Sequence, residues 1–129
     1  MPEGDTIHSI AATLEPRLVG RRLVAGRLPE RPDVDLGGRR VAGVDALGKH
    51  LFVRFADGVA LRSHLGMDGT WHRYPSGRRW RLPRWMASIV LELEDEVFVC
   101  FRAAEAELVR QGGLRERDLR RRLRPDLID

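Results

Sequence analysis

The sequence predicts a mainly β domain with flanking helices. The prediction rests on a series of strand-like segments joined by turn signals, a helical pattern at the start and a basic helical pattern at the end. With 129 residues, 43% of them apolar, the chain is long enough to bury a core and is expected to form one domain. The regular spacing of the strands supports an antiparallel β-sandwich or barrel.

The first element is a predicted helix over residues 6–19. Asp5 and Thr6 are residue types that cap the start of a helix, and Gly20 is a typical stop signal. Between them the apolar residues recur at helical spacing, namely Ile7, Ile10, Ala11, Leu14 and Leu18. Pro16 falls inside the pattern and is a candidate kink. Such a helix would anchor the N-terminal residues on the domain.

Strands are predicted from residue 21 onward. The two clearest segments, HLFVRFADGVALRSHL and SIVLELEDEVFVCF, each read as a hairpin, with turns at Asp57-Gly58 and at residues 94–96. In residues 89–94, Ile and Leu alternate with Val and Glu, which predicts a sheet with one face in water. The predicted strands are 21–27, 39–46, 50–56, 58–64, 70–73, 87–94 and 96–102, and the predicted loops are 28–38 and 74–84.

The last residues, LRERDLRRRLRPDLID (114–129), predict a short basic helix that stops at Pro125. The final PDLID is typical of a linker. We therefore expect the sequence to lead into a further domain.

Charge and composition narrow the classes of function. The formal net charge of +4 favours an anionic partner such as nucleic acid. The single cysteine, Cys100, excludes an intramolecular disulfide, and together with the four histidines it gives no metal-ligand spacing. No segment approaches the roughly 18 apolar residues of a membrane span, and the start lacks the pattern of a signal peptide. We expect a cytoplasmic protein with no membrane partner.

Pro2 and Glu3 are the first candidates for chemistry. Removal of Met1 would leave the secondary amine of Pro2 at the N-terminus, beside the carboxylate of Glu3. An α-amine has a pKa of about 8, so a fraction of it is neutral and nucleophilic at neutral pH. Its attack on a sugar carbon that can become an aldehyde gives an iminium, and a neighbouring acid can protonate the leaving oxygen. The same residues also fit an ordinary solvated terminus.

Lys49, His64 and Met67 are the next candidates. Lys49 is the only lysine among 23 Lys and Arg residues, and its amine can give up a proton where a guanidinium cannot. In SHLGMDGTW two glycines flank Met67, which predicts an exposed loop tip suited to insertion into a base stack. His64 ends the strand before that loop. The ordinary alternatives are a solvated charge, a core methionine and a strand histidine with satisfied hydrogen bonds.

Four segments together carry a resemblance to a known family. MPEGDTIHSIAATLEPRLVG, GKHLF, HLGMDGTW and RLRPDLID occur in the order and spacing of the Fpg/Nei DNA glycosylases, especially the endonuclease VIII branch of actinobacterial type. The resemblance extends over essentially all of residues 1–129 and corresponds to the family's N-terminal catalytic domain, a two-sheet antiparallel β-sandwich with flanking helices. Family members continue with a helix–two-turn–helix domain and usually a structural zinc finger. No cofactor is therefore expected within this chain.

The resemblance implies a base-excision-repair glycosylase and AP lyase that removes oxidised bases, with pyrimidines favoured, and then cleaves the strand by β- and δ-elimination. Pro2 is similar to the family's Schiff-base nucleophile and Glu3 to its general acid. Lys49 is similar to the hairpin lysine that contacts phosphate and assists elimination. DNA contacts are implied for Met67, Arg122 and His64. The expected partner is damaged duplex DNA, bound by a monomer.

The sequence departs from the family pattern in two places. FRAAEAELV (101–109) stands where the Fpg branch has an Asp-Pro-Arg-Arg-Phe loop, which argues against oxidised guanine opposite cytosine. Thr6 stands where the endonuclease VIII branch often has Glu, with Asp5 before it, so a second active-site acid stays unassigned.

Two other functions remain open at this point. The high arginine content also fits a non-catalytic DNA-binding or damage-sensing domain. The chain also fits a fragment with little activity of its own, because a family enzyme grips DNA between two domains.

Overall fold

A computed structural model of the chain describes residues 4–110. The first element is helix α1, Gly4–Leu18, close to the predicted helix over residues 6–19. Its buried stripe is Ile7, Ala11, Leu14 and Leu18. Burial of each larger side chain is worth about 1.5–3 kcal/mol, so this stripe fixes the helix on the domain. Pro16 lies in the last turn, shortly before the helix ends. The basic helix predicted over residues 114–129 lies outside the described residues.

The strands that follow α1 form two antiparallel sheets with the orders β2-β1-β7-β8-β6 and β3-β4-β5-β9. Within residues 4–110 they are β1 Ala25–Leu28, β2 Arg31–Asp35, β3 Val41–Leu47, β4 His50–Phe55, β5 Val59–His64, β6 Thr70–Pro75, β7 Ala87–Glu92, β8 Glu96–Phe101 and β9 Glu105–Arg110. A short 3-10 turn, Arg84–Met86, precedes β7. The predicted class is confirmed, and the two predicted hairpins are β4–β5 and β7–β8.

Two strands differ from the sequence prediction. β2 occupies part of the predicted loop 28–38, where it is a largely exposed edge strand containing Pro32. Proline marks a loop in a sequence, but an edge strand tolerates it because one side of the strand needs no partner. β9 is rich in Glu and Ala, which have low strand propensity. It nevertheless pairs with β5 from His64↔Glu105 to Val59↔Arg110, so the neighbouring strand determines its structure.

The main core lies between the two sheets and α1. The helix packs on β3 and β4. It also borders β6, because Ile10 and Trp71 line the same hollow. The helix therefore closes the open side of the sandwich between the edge strands β3 and β6. The larger core side chains on the strands are Leu28, Val44, Leu51, Val53, Phe55, Leu61, Ile89, Leu91 and Phe98.

The outer face of the five-stranded sheet corrects the prediction of one wet face. Val90, on that face, is fully buried and joins a second apolar cluster with Tyr74. Residues 76–86 fold over this face, and Trp80 stacks on Tyr74 with ring centroids 6.1 Å apart. β8 is consequently buried along its whole length. Alternation within the strand missed this cover because it does not show that residues 76–86, which precede β7, fold back over its outer face.

Candidate functional site

Lys49, His64 and Met67 lie at one end of the sandwich, which we call the site end. It consists of the turn Gly48-Lys49 between β3 and β4, the turn over residues 65–69 between β5 and β6, and the loop 102–104 between β8 and β9. Strand register brings these connections together, because His50 pairs with His64 and His64 pairs with Glu105.

The start of α1 lies at the same end. The helix ends near the beginning of β3, where the Gly20 N–H donates to the Val41 carbonyl at 2.8 Å. At 1.5 Å per residue, its 15 residues span about 22 Å, close to the length of about 23 Å expected for the 7 residues of β3. Since α1 packs along β3, its start at Gly4 falls toward the Lys49 turn. Thr6 accordingly lines a hollow with Trp71, near the start of β6.

The Lys49 turn is a two-residue hairpin connection, with Leu47 paired to His50. Gly48 has a φ of 63°. Lys49, the second residue of the turn, does not have a positive φ. Glycine first with a positive φ is the pattern of a type II′ turn, whose twist suits antiparallel strands. The exposed Lys49 side chain is thus presented on a short, well-defined tip.

The Met67 turn holds an apolar side chain in solvent. Met67 is 71% exposed, as the sequence predicts for a loop tip. Gly66 has a φ of 70°, and a Cβ at Gly69 would lie 2.4 Å from the Leu65 carbonyl oxygen. Only glycine fits either position without rearrangement. The turn also rests on the loop behind it, since the Ala104 N–H donates to the His64 carbonyl at 2.9 Å.

A buried arginine lies beneath the site end. The Arg62 side chain is only 1% exposed, and its guanidinium donates to Glu105 at 2.6 Å and to Glu107 at 2.7 Å. Arg62 Nη1 also lies 2.9 Å from His50 Nδ1, which must accept because a guanidinium only donates. The His50 and His64 rings are 5.2 Å apart. This network ties β4, β5 and β9 together below Lys49 and His64.

The Arg62 network was not among the features predicted from the sequence. Its signal was present in the alternation, because Glu105 and Glu107 are two residues apart and therefore share a face of one strand. The register that puts Glu107 opposite Arg62 and Glu105 opposite His64 could not be predicted without knowing that β9 exists.

The opposite end of the sandwich contains a second ion network. Glu96, at the start of β8, is 6% exposed and contacts Arg17 at 3.6 Å, Arg21 at 3.2 Å and Arg73 at 2.8 Å. A hydrogen bond from Arg21 lowers the pKa of the exposed Asp95 carboxyl, and the same bond raises the pKa of Arg21. These contacts tie the end of α1 to the five-stranded sheet.

The single cysteine, Cys100, lies in the core of the described part of the chain. Burial raises the pKa of the Cys100 thiol to about 12, so it is neither accessible nor ionised at neutral pH. Between residues 4 and 110 no group of three or more His, Cys, Asp or Glu is arranged to hold a metal ion. Over the same range, no helix combines the length and apolar character needed to cross a membrane.

The structure therefore groups Lys49, His64 and Met67, while Pro2, Glu3 and Arg122 lie outside the described residues. The loop 102–104 matches the departure noted in the sequence. Phe101 before it is fully buried, and Arg102 has a φ of 55°. The loop thus presents Arg102 and two alanines but no aromatic side chain.

Comparison with known proteins identifies the family. A model of the formamidopyrimidine-DNA glycosylase N-terminal domain matches residues 1–123. The chain belongs to the Fpg/Nei family of DNA glycosylases. This confirms the resemblance carried by the four sequence segments.

Fpg/Nei relatives include a protein of Streptomyces coelicolor named probable endonuclease 8 2. It is 37% identical over 99% of this chain and 47% of its own length. A Mycolicibacterium smegmatis protein named a DNA-(apurinic or apyrimidinic site) lyase is 45% identical over 55% of this chain and 29% of its own length. The chain spans about half the length of the first of these relatives.

Solved Fpg structures share the fold. A complex of wild-type Lactococcus lactis Fpg with DNA containing an oxidised pyrimidine matches with a TM-score of 0.77 and 18% identity, covering 92% of this chain and 48% of that one. A complex of a variant of the same protein with DNA containing Fapy-dG gives the same TM-score and identity, covering 92% and 47%. The expected two-sheet architecture with an N-terminal helix is confirmed.

Proposed function

We propose that this chain is the catalytic half of a base-excision-repair enzyme, a DNA glycosylase and AP lyase that acts on oxidised pyrimidines through an N-terminal proline Schiff base. The observation that carries the proposal is convergence at the site end. The start of α1, the exposed Lys49 tip and the exposed Met67 turn come from separate parts of the chain and meet there.

In this proposal the Pro2 amine attacks C1′ of the damaged nucleotide while Glu3 protonates the sugar ring oxygen. The C1′–base bond breaks, and the base leaves with its electron pair and takes up the proton that the Pro2 amine loses. The C1′–O4′ bond then breaks as O4′ takes the proton of Glu3, so the opened sugar remains joined to Pro2 as an iminium. The iminium acidifies the C2′ hydrogen. Loss of that proton expels the 3′ phosphate, which is β-elimination. Water then releases the sugar and regenerates the amine, so one nucleophile accounts for both activities.

Electrostatics favour this chemistry at the site end. The N-terminus of a helix carries a partial positive charge, which attracts phosphate and disfavours protonation of a nearby amine. α1 begins at Gly4, directly after Glu3 in the sequence. Lys49 adds a mobile cation on a short turn, where it can hold the phosphate that leaves during elimination.

Met67 supports a base-flipping role. An exposed, flexible thioether can enter the gap that a flipped base leaves in the stack. The adjoining loop 102–104 has no aromatic side chain to add a second wedge. We therefore propose that the enzyme prefers oxidised pyrimidines to oxidised guanine opposite cytosine.

The remaining parts of the proposal concern the whole protein. His64 and Arg122 are assigned to DNA phosphate contacts, and the substrate is damaged duplex DNA bound by a monomer in the bacterial cytoplasm. A helix–two-turn–helix domain of the kind that the family resemblance implies would form the other wall of the DNA cleft and carry any structural zinc.

Substitution of Glu3 tests the proposal. Glu3→Gln is expected to lose base release from a duplex with an oxidised pyrimidine, yet to keep cleavage of a duplex with a preformed abasic site, where no base must leave. Glu15→Gln, on the exposed face of α1, is the matched control. Base release by Glu3→Gln at the wild-type rate would refute the assigned acid.

The same assay addresses the second candidate, a non-catalytic damage sensor, which the many exposed arginines favour. If the full-length protein binds the abasic duplex but yields no product from either substrate, the sensor is correct. Product from either substrate excludes it.

A further inference from the structure

Residues 78–85, RRWRLPRW, form an arginine- and tryptophan-rich segment that the proposed chemistry does not use. We call it the Arg-Trp segment. It crosses the outer face of the five-stranded sheet, between the end of β6 and the start of β7. β6 ends opposite Glu96, away from the site end, and β7 begins opposite Phe101, at the site end. The segment therefore runs from one end of the sandwich to the other, about 20 Å along strands of this length.

A hollow of about 650 Å³ lies between this segment and the sheet. Its cationic lining residues are Arg27, Arg78, Arg79, Arg81 and Arg84, and its one acidic lining residue is Glu92. Glu92 is already paired with Arg27 at 3.2 Å. Within residues 4–110, the four arginines of the segment form no ion pair with a carboxylate. The hollow therefore carries uncompensated positive charge.

His72 lies beside the same arginines. Arg78, Arg79 and Arg81 also line a second hollow of about 390 Å³ with His72. Burial, followed by the charge of Arg81, lowers the pKa of His72. An anion in these hollows would meet several guanidinium groups that have no acidic competitor among the described residues.

Aromatic rings accompany the charges. Trp85 is 81% exposed at the end of the segment nearest the site end. Trp80 is fixed by its stack on Tyr74 and is covered by the Arg84 guanidinium, 4.1 Å from the ring centroid. Trp85 thus presents a large ring to solvent directly after Arg84 in the sequence, and a nucleic-acid base can stack on such a ring.

We propose that the Arg-Trp segment is a binding groove for single-stranded DNA, with arginines on the phosphates and Trp85 stacked on a base. Proteins that hold single strands without sequence preference combine a cationic groove with exposed aromatic rings in this way. A continuous duplex fits less well, since its base faces are stacked and unavailable to Trp85. The groove passes beside the site end, where the Arg102 N–H donates to the Met86 carbonyl at 3.0 Å. It can therefore hold an unpaired strand that continues from the site.

The test measures fluorescence anisotropy of a labelled, lesion-free oligothymidine titrated with the protein. Trp85→Ala is expected to weaken binding about fivefold, since stacking one base is worth roughly 1 kcal/mol or more, and Trp85→Phe is expected to restore most of the loss. Arg78→Ala with Arg79→Ala is expected to weaken binding about tenfold and to reduce the salt slope by about 1.4, or about 0.7 for each lost contact.

The control variant removes two positive charges from outside the Arg-Trp segment. Arg22→Ala with Arg40→Ala takes two exposed arginines from the β3 start, away from the segment, and is expected to weaken binding less than twofold. Three results would overturn the groove: equal losses in the two arginine pairs, no loss in Trp85→Ala, or a loss in Trp85→Ala that is as large for the matching duplex as for the single strand. Borohydride trapping at an abasic site is expected to persist in Trp85→Ala, so failure of the groove and failure of the Schiff-base chemistry are separable.

Discussion

The two ends of the sandwich use charged residues in opposite ways. At the end away from the site, Glu96 and Asp95 hold Arg17, Arg21 and Arg73 in ion pairs that join α1 to the sheet. At the site end, Lys49 and Met67 are presented to solvent on glycine-shaped turns. Charges that meet other charges stabilise the fold, whereas groups held out on rigid turns are available to a ligand. Variants at one end should therefore change stability, and variants at the other should change DNA chemistry.

Of the variants considered, loss of the Lys49 amine should have the largest effect on activity without a matching effect on stability. Lys49→Ala is expected to slow strand cleavage at an abasic site by roughly a hundredfold, because one cation that stabilises a leaving phosphate is lost. The midpoint of urea unfolding should stay unchanged, since the side chain is exposed on a turn. Single-turnover cleavage and denaturation measure the two quantities.

Arg40→Ala, an exposed cation at the β3 start, is the control for Lys49 and should change cleavage less than twofold. Equal slowing by the two substitutions would mean that only net charge matters and would remove the distinction between the ends.

Glu96→Gln should show the reverse behaviour. It leaves Arg17, Arg21 and Arg73 without their shared carboxylate, so the free energy of unfolding is expected to fall by about 2 kcal/mol. Cleavage per folded molecule should remain at the wild-type rate. The exposed Glu30→Gln is the control, with no change expected in either quantity. Loss of activity in folded Glu96→Gln would show that the ends are coupled.

A Met67 variant should distinguish two activities of the site end, excision of a base and cleavage at a preformed abasic site. Met67→Ala is expected to slow excision of an oxidised pyrimidine about tenfold, because the flipped state loses its plug, a cost of roughly 1.4 kcal/mol. Cleavage of a preformed abasic site should change little, since no base occupies the stack. Met67→Leu should restore excision. An equal loss on both substrates would assign Met67 to general binding.

The smallest expected effect is on the pH dependence of stability. Burial, and then Arg81, lower the pKa of His72 from 6.5, so the unfolded chain takes up this proton at a higher pH than the folded chain does. The free energy of unfolding should therefore fall as the pH is lowered below 6.5. His72→Gln should flatten the profile, and His8→Gln, on the exposed face of α1, should leave it unchanged. A steeper profile in His72→Gln would contradict the sign.

Most of the fold could be predicted from periodicity and turn signals. α1 and the β4–β5 and β7–β8 hairpins follow from local patterns that agree with their packing. β2 and β9 could not be predicted, because an edge strand with a proline and a strand rich in Glu and Ala depend on pairing with distant partners. The buried outer face at Val90 was missed because alternation within a strand does not show that the preceding residues 76–86 fold back over it.

The candidate site was partly predictable from spacing. Two glycines around Met67 predict an exposed tip, and the structure places both Met67 and Lys49 on turns at one end. The Arg62 network required the β9 register, and the charge of the Arg-Trp segment became apparent only when its carboxylate neighbours were known. The roles of Pro2, Glu3 and Arg122 remain predictions from the family resemblance.

The most direct test of the account is borohydride trapping of the protein on a duplex with an abasic site. Intact mass is measured first, to establish that Met1 is absent, and the adduct is then located by peptide mass spectrometry. We predict one adduct, on the amine of Pro2, and none in a variant with an extra residue before Pro2. No adduct from a full-length protein that lacks Met1, or an adduct on Lys49 instead, would contradict the account.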